Sequence, residues 1–161
     1  MDGRDRRRFV WDRFRTVGRR GAVTVPDGAQ VIDVAGKGIM PCLINAHGHV
    51  GNTLSLGGGN YNTDNLLRQL GLYARYGVTT VNSLGGDEEQ GFALRNSQFG
   101  QDLDRARIYV AGSVVLGDTE AQIRAEVNRN ADMGANFIKV RIDDELGTAE
   151  KMPRNIFDAL V

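Results

Sequence analysis

The stretch Ile39-Met40-Pro41-Cys42-Leu43-Ile44-Asn45-Ala46-His47-Gly48-His49-Val50 holds both histidines of the chain, two residues apart, at the end of a short apolar run. An extended strand sends residues i and i+2 to the same face. His47 and His49 are therefore expected to point the same way, with Leu43 and Asn45 beneath them. Two imidazoles converging from a strand end can share a divalent metal ion, for which neutral imidazole is the commonest protein ligand. Alone, a His-x-His pair is a weak signal, and two solvated loop histidines are the commoner case.

Outward from this stretch, strands alternate with helices. Upstream, Ala22-Val23-Thr24-Val25, a Pro26-Asp27-Gly28 turn and Gln30-Val31-Ile32-Asp33-Val34 read as a β-hairpin. Proline presets φ, and glycine accepts the positive φ such turns require. Downstream comes a polar, Gly-rich loop over 51–60, of the kind that often covers a site. It has no Gly-Lys-Ser/Thr ending, which argues against a phosphate loop and a nucleotide-binding domain. A helix capped near Thr63 or Asp64 carries the stripe Leu66, Leu70, Tyr73 and Ala74, and stops at Gly77. Val78-Thr79-Thr80-Val81-Asn82-Ser83 is a β-branched strand, followed by Gly85-Gly86-Asp87 and a helix over 88–98. A third strand at 107–112 precedes a helix capped by Asp118 or Thr119, with Ile123, Val127 and Ala131 on one face. The fourth strand is expected over 136–142, then a charged loop over 143–152 and a helix beginning at Pro153. Such alternation predicts a parallel sheet built from βα units.

Composition narrows the class. The 161 residues suit one domain, and 41% hydrophobic with 25% charged residues allows a sizeable core. A formal net charge of zero gives no pull toward nucleic acid or an anionic membrane. Residues 1–20 are an exception, with eight arginines against three aspartates, and residues 1–21 read as a basic, disordered leader. The single cysteine, Cys42, allows no internal disulfide. No apolar run nears the ~20 residues needed to span a bilayer, so the default expectation is a soluble cytoplasmic protein.

The fourth strand holds the second informative position. In Phe137-Ile138-Lys139-Val140-Arg141-Ile142, the aliphatic residues share one face, and Lys139 falls on the other. A lysine directed into a barrel interior must be paired, modified or deprotonated, because burying an uncompensated ammonium is costly. The alternative is a strand-end lysine whose stem is buried while its ammonium reaches water.

Together these residues resemble a known family. Val31-Ile32-Asp33-Val34, Gly36-Lys37, Met40-Pro41 and Leu43-Ile44-Asn45-Ala46-His47-Gly48-His49 resemble the approach to the first barrel strand of the amidohydrolase superfamily. Tyr76-Gly77-Val78-Thr79-Thr80-Val81 with Leu84-Gly85-Gly86 is similar to its second strand, and Gly134-Ala135-Asn136-Phe137-Ile138-Lys139 to its fourth. The resemblance is to the branch with imidazolonepropionase-like and Xaa-Pro-dipeptidase-like members, and it runs from about residue 22 to 161.

The resemblance implies an incomplete (β/α)8 TIM-type barrel of about four βα units over 39–161, preceded by a partial β-sandwich hairpin over 22–38. It implies His47, His49 and Lys139 as metal ligands, with Lys139 carboxylated, and one or two divalent ions, zinc being expected. The implied activity is hydrolysis of carbon–nitrogen bonds in amide, cyclic amide or dipeptide-like small molecules by a metal-activated hydroxide. The family completes its site with two more histidines and an acid/base aspartate from later strands. None of these is assignable here, although Asp143 and Asp144 follow the fourth strand. Asn45 replaces an aspartate often seen before Ala-His-x-His, and Cys42 stands where glycine is common. A truncated, inactive chain is thus one expectation. A non-catalytic half-barrel that forms a homo-oligomer through open sheet edges is the other.

Overall fold

The computed structural model describes residues 16–19, 21–100, 103–158 and 160. The basic leader expected over 1–21 lies almost wholly outside the described residues. The chain divides into two compact units, one ending at Pro41 and the other starting at Cys42.

In the first unit the Pro26 turn forms as expected. The Ala29 N–H donates to the Pro26 carbonyl at 3.2 Å, and Gly28 takes φ +77°. The flanking runs do not pair into the expected hairpin ladder, and no strand occurs among the described residues of this unit. A lone two-stranded hairpin is marginal in water, so good turn chemistry does not by itself produce a ladder.

The second unit is an α/β structure. Strands β1 (Leu43–Gly48), β2 (Val78–Ser83) and β3 (Arg107–Val110) form one parallel sheet in the order β1-β2-β3. Helices α1 (Thr63–Arg75), α2 (Glu89–Ser97), α3 (Glu120–Asp132) and α4 (Arg154–Asp158) follow in the predicted alternation. The α1 cap is Asn62, one residue before the expected positions, and its side chain accepts from the Asn65 N–H at 2.9 Å. For α3 the cap is Thr119, within a reciprocal capping box with Gln122.

One face of the sheet packs against helices. Val81, Ile108 and Val110 from the strands meet Leu66 and Leu70 of α1 and Phe92 of α2, and all are buried. A smaller cluster joins Val115, Ile123 and Ile156, with Val140 partly buried against it. The alternate residues Arg107 and Tyr109 lie on the other face, which is more open, and Ile44 there is 66% exposed.

The fourth strand differs from expectation. Residues 136–142 form only a parallel bridge, Val115↔Val140, plus a hydrogen bond from the Asn136 N–H to the Val110 carbonyl at 2.8 Å. The cause lies in β3, which stops at Val110 as Gly112 turns with positive φ. Only short pieces of backbone then remain for 136–142 to pair with. Ile138 and Ile142, on the aliphatic face of this run, are 42% and 48% exposed.

Candidate metal centre

β1 does not run regularly into its histidines. Asn45 pairs with Val81 and Gly48 with Ser83, so three steps along β1 match two along β2, a β-bulge. An Asx turn sits at the bulge, with the His47 N–H donating to Asn45 Oδ1 at 3.1 Å. Asn45 Nδ2 donates to the Tyr73 hydroxyl of α1 at 3.2 Å.

The bulge reverses part of the predicted pattern. Asn45 faces α1 rather than lying beneath the histidines. Regular alternation would have put His47 on Asn45's side. The extra residue instead sends His47 to the face of His49, opposite the helices. Gly48 falls on the helix side, where a Cβ would come within 2.8 Å of Val81 Cγ1. Sequence periodicity could not reveal this, because a bulge leaves no periodic trace. Asn followed two residues later by a ligand-type residue was the available signal.

The two imidazoles lie with ring centroids 5.4 Å apart and planes tilted by 52°. Lys139, from the bridged segment, reaches toward them, with Nζ 3.4 Å from His47 Nε2. A lysine ammonium has only donors, so in this contact Nε2 of His47 accepts. On the other side, His49 Nδ1 stands 3.4 Å from the Gly85 carbonyl. The three residues singled out in sequence therefore come together at the C-terminal end of β1, in an open setting. Both imidazoles are exposed, and Lys139 is half-buried.

Other candidates stay apart. Asp143 Oδ1 accepts from the Glu145 N–H at 3.4 Å, and Asp144 pairs with Lys151 at 3.7 Å, so both serve their own turn. Cys42 is a free, exposed thiol. Among the described residues, no group of three or more His, Cys, Asp or Glu side chains could hold a metal ion. The donor set fits a divalent cation in part: two imidazoles, with Lys139 as a third donor only once its ammonium is neutralised or carboxylated. Catalytic zinc usually takes three protein ligands and an open position.

Asp87 falls in the loop after β2, two residues beyond Gly85, yet its carboxyl is buried, 5% exposed. Its Oδ2 accepts from the N–H groups of Ala111 and Gly112 at 2.9 and 3.3 Å. Its own N–H donates to the Gly112 carbonyl at 3.1 Å. Asp87 thereby fastens the turn after β2 to the turn after β3. Burial pushes its carboxyl above the ordinary carboxylate value, against the Ser83 hydroxyl and these backbone donors, which pull it down. Burial, and then the Asp87 charge, likewise raise the Tyr61 phenol. The Tyr61 hydroxyl and Asp87 Oδ1 are both buried without a hydrogen-bond partner among the described residues.

No family model matches the sequence, and no curated protein matches it. Among solved structures, the chain is similar to that of a Xaa-Pro dipeptidase with methionine bound in the active site, at 17% identity and a TM-score of 0.62. The match covers 74% of this chain and 39% of that one, so the chain spans about two fifths of the dipeptidase's length. At that identity the likeness is one of fold. No helix among the described residues is long and apolar enough to cross a membrane. The chain is thus an α/β protein that shares the fold of part of a dipeptidase.

Proposed function

We propose that this chain carries part of an amidohydrolase-type metal centre, in a barrel-derived fold, for the hydrolysis of carbon–nitrogen bonds in amide or dipeptide-like substrates. The observation that carries the reading is the meeting of His47, His49 and Lys139, brought from positions 92 residues apart, with Nζ of the lysine 3.4 Å from His47 Nε2. That trio is what the sequence resemblance implies as ligands, and the fold likeness to a dipeptidase supports the same class.

His47 and His49 would hold the ion through their ring nitrogens, and Lys139 through a carbamate on Nζ. When bound, a divalent ion, zinc by expectation, polarises a carbonyl and lowers the pKa of water. The chain's own contribution is orientation: the bulge turns His47 to the side of His49, and the bridge at Val140 brings Lys139 beside it. The test is hydrolysis of a panel of Xaa-Pro dipeptides and cyclic amides by zinc-loaded protein. Activity that a chelator abolishes and zinc restores, and that His47→Ala removes, is expected. Activity indifferent to both chelator and substitution would contradict the proposal.

A second reading, a non-catalytic half-barrel that self-associates through open sheet edges, draws on the order β1-β2-β3, which leaves β1 as an edge strand among the described residues, and on the open sheet face beside it. Parallel sheets are ordinarily covered on both faces, yet Ile44 is 66% exposed. Sedimentation separates the readings, since a monomer at micromolar concentration counts against self-association.

A further inference from the structure

We infer that the backbone carbonyl of Gly85 is a positioning group for His49, holding its Nδ1–H and leaving the Nε2 lone pair free for a divalent cation. The inference rests on the metal reading of the His47–His49 pair. A carbonyl oxygen only accepts, so a hydrogen bond between His49 Nδ1 and Gly85 O, which stand 3.4 Å apart, places the proton on Nδ1. Which ring nitrogen a histidine offers to a metal is set by the hydrogen bond its other nitrogen makes.

The carbonyl is fixed from both sides. The Leu84 N–H donates to the Gly48 carbonyl at 2.9 Å, tying the start of the turn to the residue before His49. Two residues after Gly85, Asp87 is clamped to the Ala111–Gly112 turn. Position 85 also tolerates little else. Its φ is +106°, and an added Cβ would fall 2.5 Å from Val114 Cγ2 and 3.4 Å from Lys139 Cγ. A side chain there would displace the carbonyl and push on the lysine stem together. One glycine thus touches the surroundings of both His49 and Lys139.

The experiment is nitrogen-15 NMR of the imidazoles in the metal-free chain, about two pH units above the ordinary imidazole pKa of about 6.5. The chain has only two histidines, so His47→Gln leaves His49 as the sole signal. His49 is expected mainly as the Nδ1–H form. A His49 found mainly as Nε2–H, the form free imidazole side chains favour in water, overturns the inference.

Zinc titration of Gly85→Ala against Gly86→Ala provides the second readout. Gly86 also has positive φ, but a Cβ there meets nothing within 4 Å. Gly85→Ala is expected to lose roughly ten-fold or more in affinity, and Gly86→Ala distinctly less. Equal losses would overturn the role of Gly85. An Nδ1–H His49 in a chain that binds no zinc upholds the hydrogen-bond assignment and removes the metal reading instead.

Discussion

Replacing Asn45 by alanine tests how the chain aims His47. In the native state this side chain makes two bonds, accepting from the His47 N–H at 3.1 Å and donating to the Tyr73 hydroxyl at 3.2 Å. A hydrogen bond contributes a net ~1 kcal/mol, with a spread of about half that. Losing both costs ~1–3 kcal/mol, toward the upper end if the Tyr73 hydroxyl finds no water. Asn45→Asp keeps an acceptor for the His47 N–H and can accept from Tyr73, so its cost stays under ~1 kcal/mol. Urea unfolding of both variants, with Tyr73→Phe and the Asn45→Ala/Tyr73→Phe double variant, measures the sums. The cycle should return a coupling of about 0.5–1.5 kcal/mol between Asn45 and Tyr73. Asn45→Ala should also shift the His47 imidazole resonances more than those of His49. An Asn45→Ala protein as stable as Asn45→Asp, with an undisturbed His47, would refute the latch at the bulge.

Further outcomes follow from packing and charge. Leu70→Ala, at a fully buried position of α1, should cost ~2–5 kcal/mol in urea unfolding, whereas Leu67→Ala, at a position 40% exposed, should cost clearly less. Equal effects would misplace the face of α1 that meets the sheet. Thr119→Ala should cost ~0.5–2 kcal/mol by breaking the capping box of α3. Asp87 sets a pH dependence. Because burial raises its folded pKa above the unfolded value, its favourable contribution is complete below about pH 4 and is lost as pH rises through the folded value. Asp87→Asn does not titrate, so its stability relative to the native chain should climb from pH 4 toward pH 7. A difference flat with pH would remove the burial explanation.

Much of the second unit is written in local sequence. The stripe Leu66, Leu70 and Tyr73 gave the inner face of α1, and the Asp118-Thr119 pair marked the start of α3, where Thr119 is the cap, because caps and periodicity are short-range signals. The β-branched run 78–83 became β2 over the expected residues. What failed depends on partners elsewhere in the chain. The 136–142 run has strand composition but only a broken neighbour to pair with, since Gly112 ends β3 early. The turn at Gly28 formed without a ladder for a similar reason. Side-chain directions near the centre were only half legible. His47 and His49 share a face as expected, while the bulge moves Asn45 to the opposite one. Asp87 and Gly85 were invisible as functional positions, because their importance comes from contacts with residues 24–54 positions away.

Zinc titration of the metal-free chain in bicarbonate buffer, followed by calorimetry, tests the proposed centre most directly. Saturable binding that His47→Ala and His49→Ala each abolish, and that Lys139→Ala weakens, is the predicted result. Absence of binding, or binding that survives all three substitutions unchanged, would contradict it.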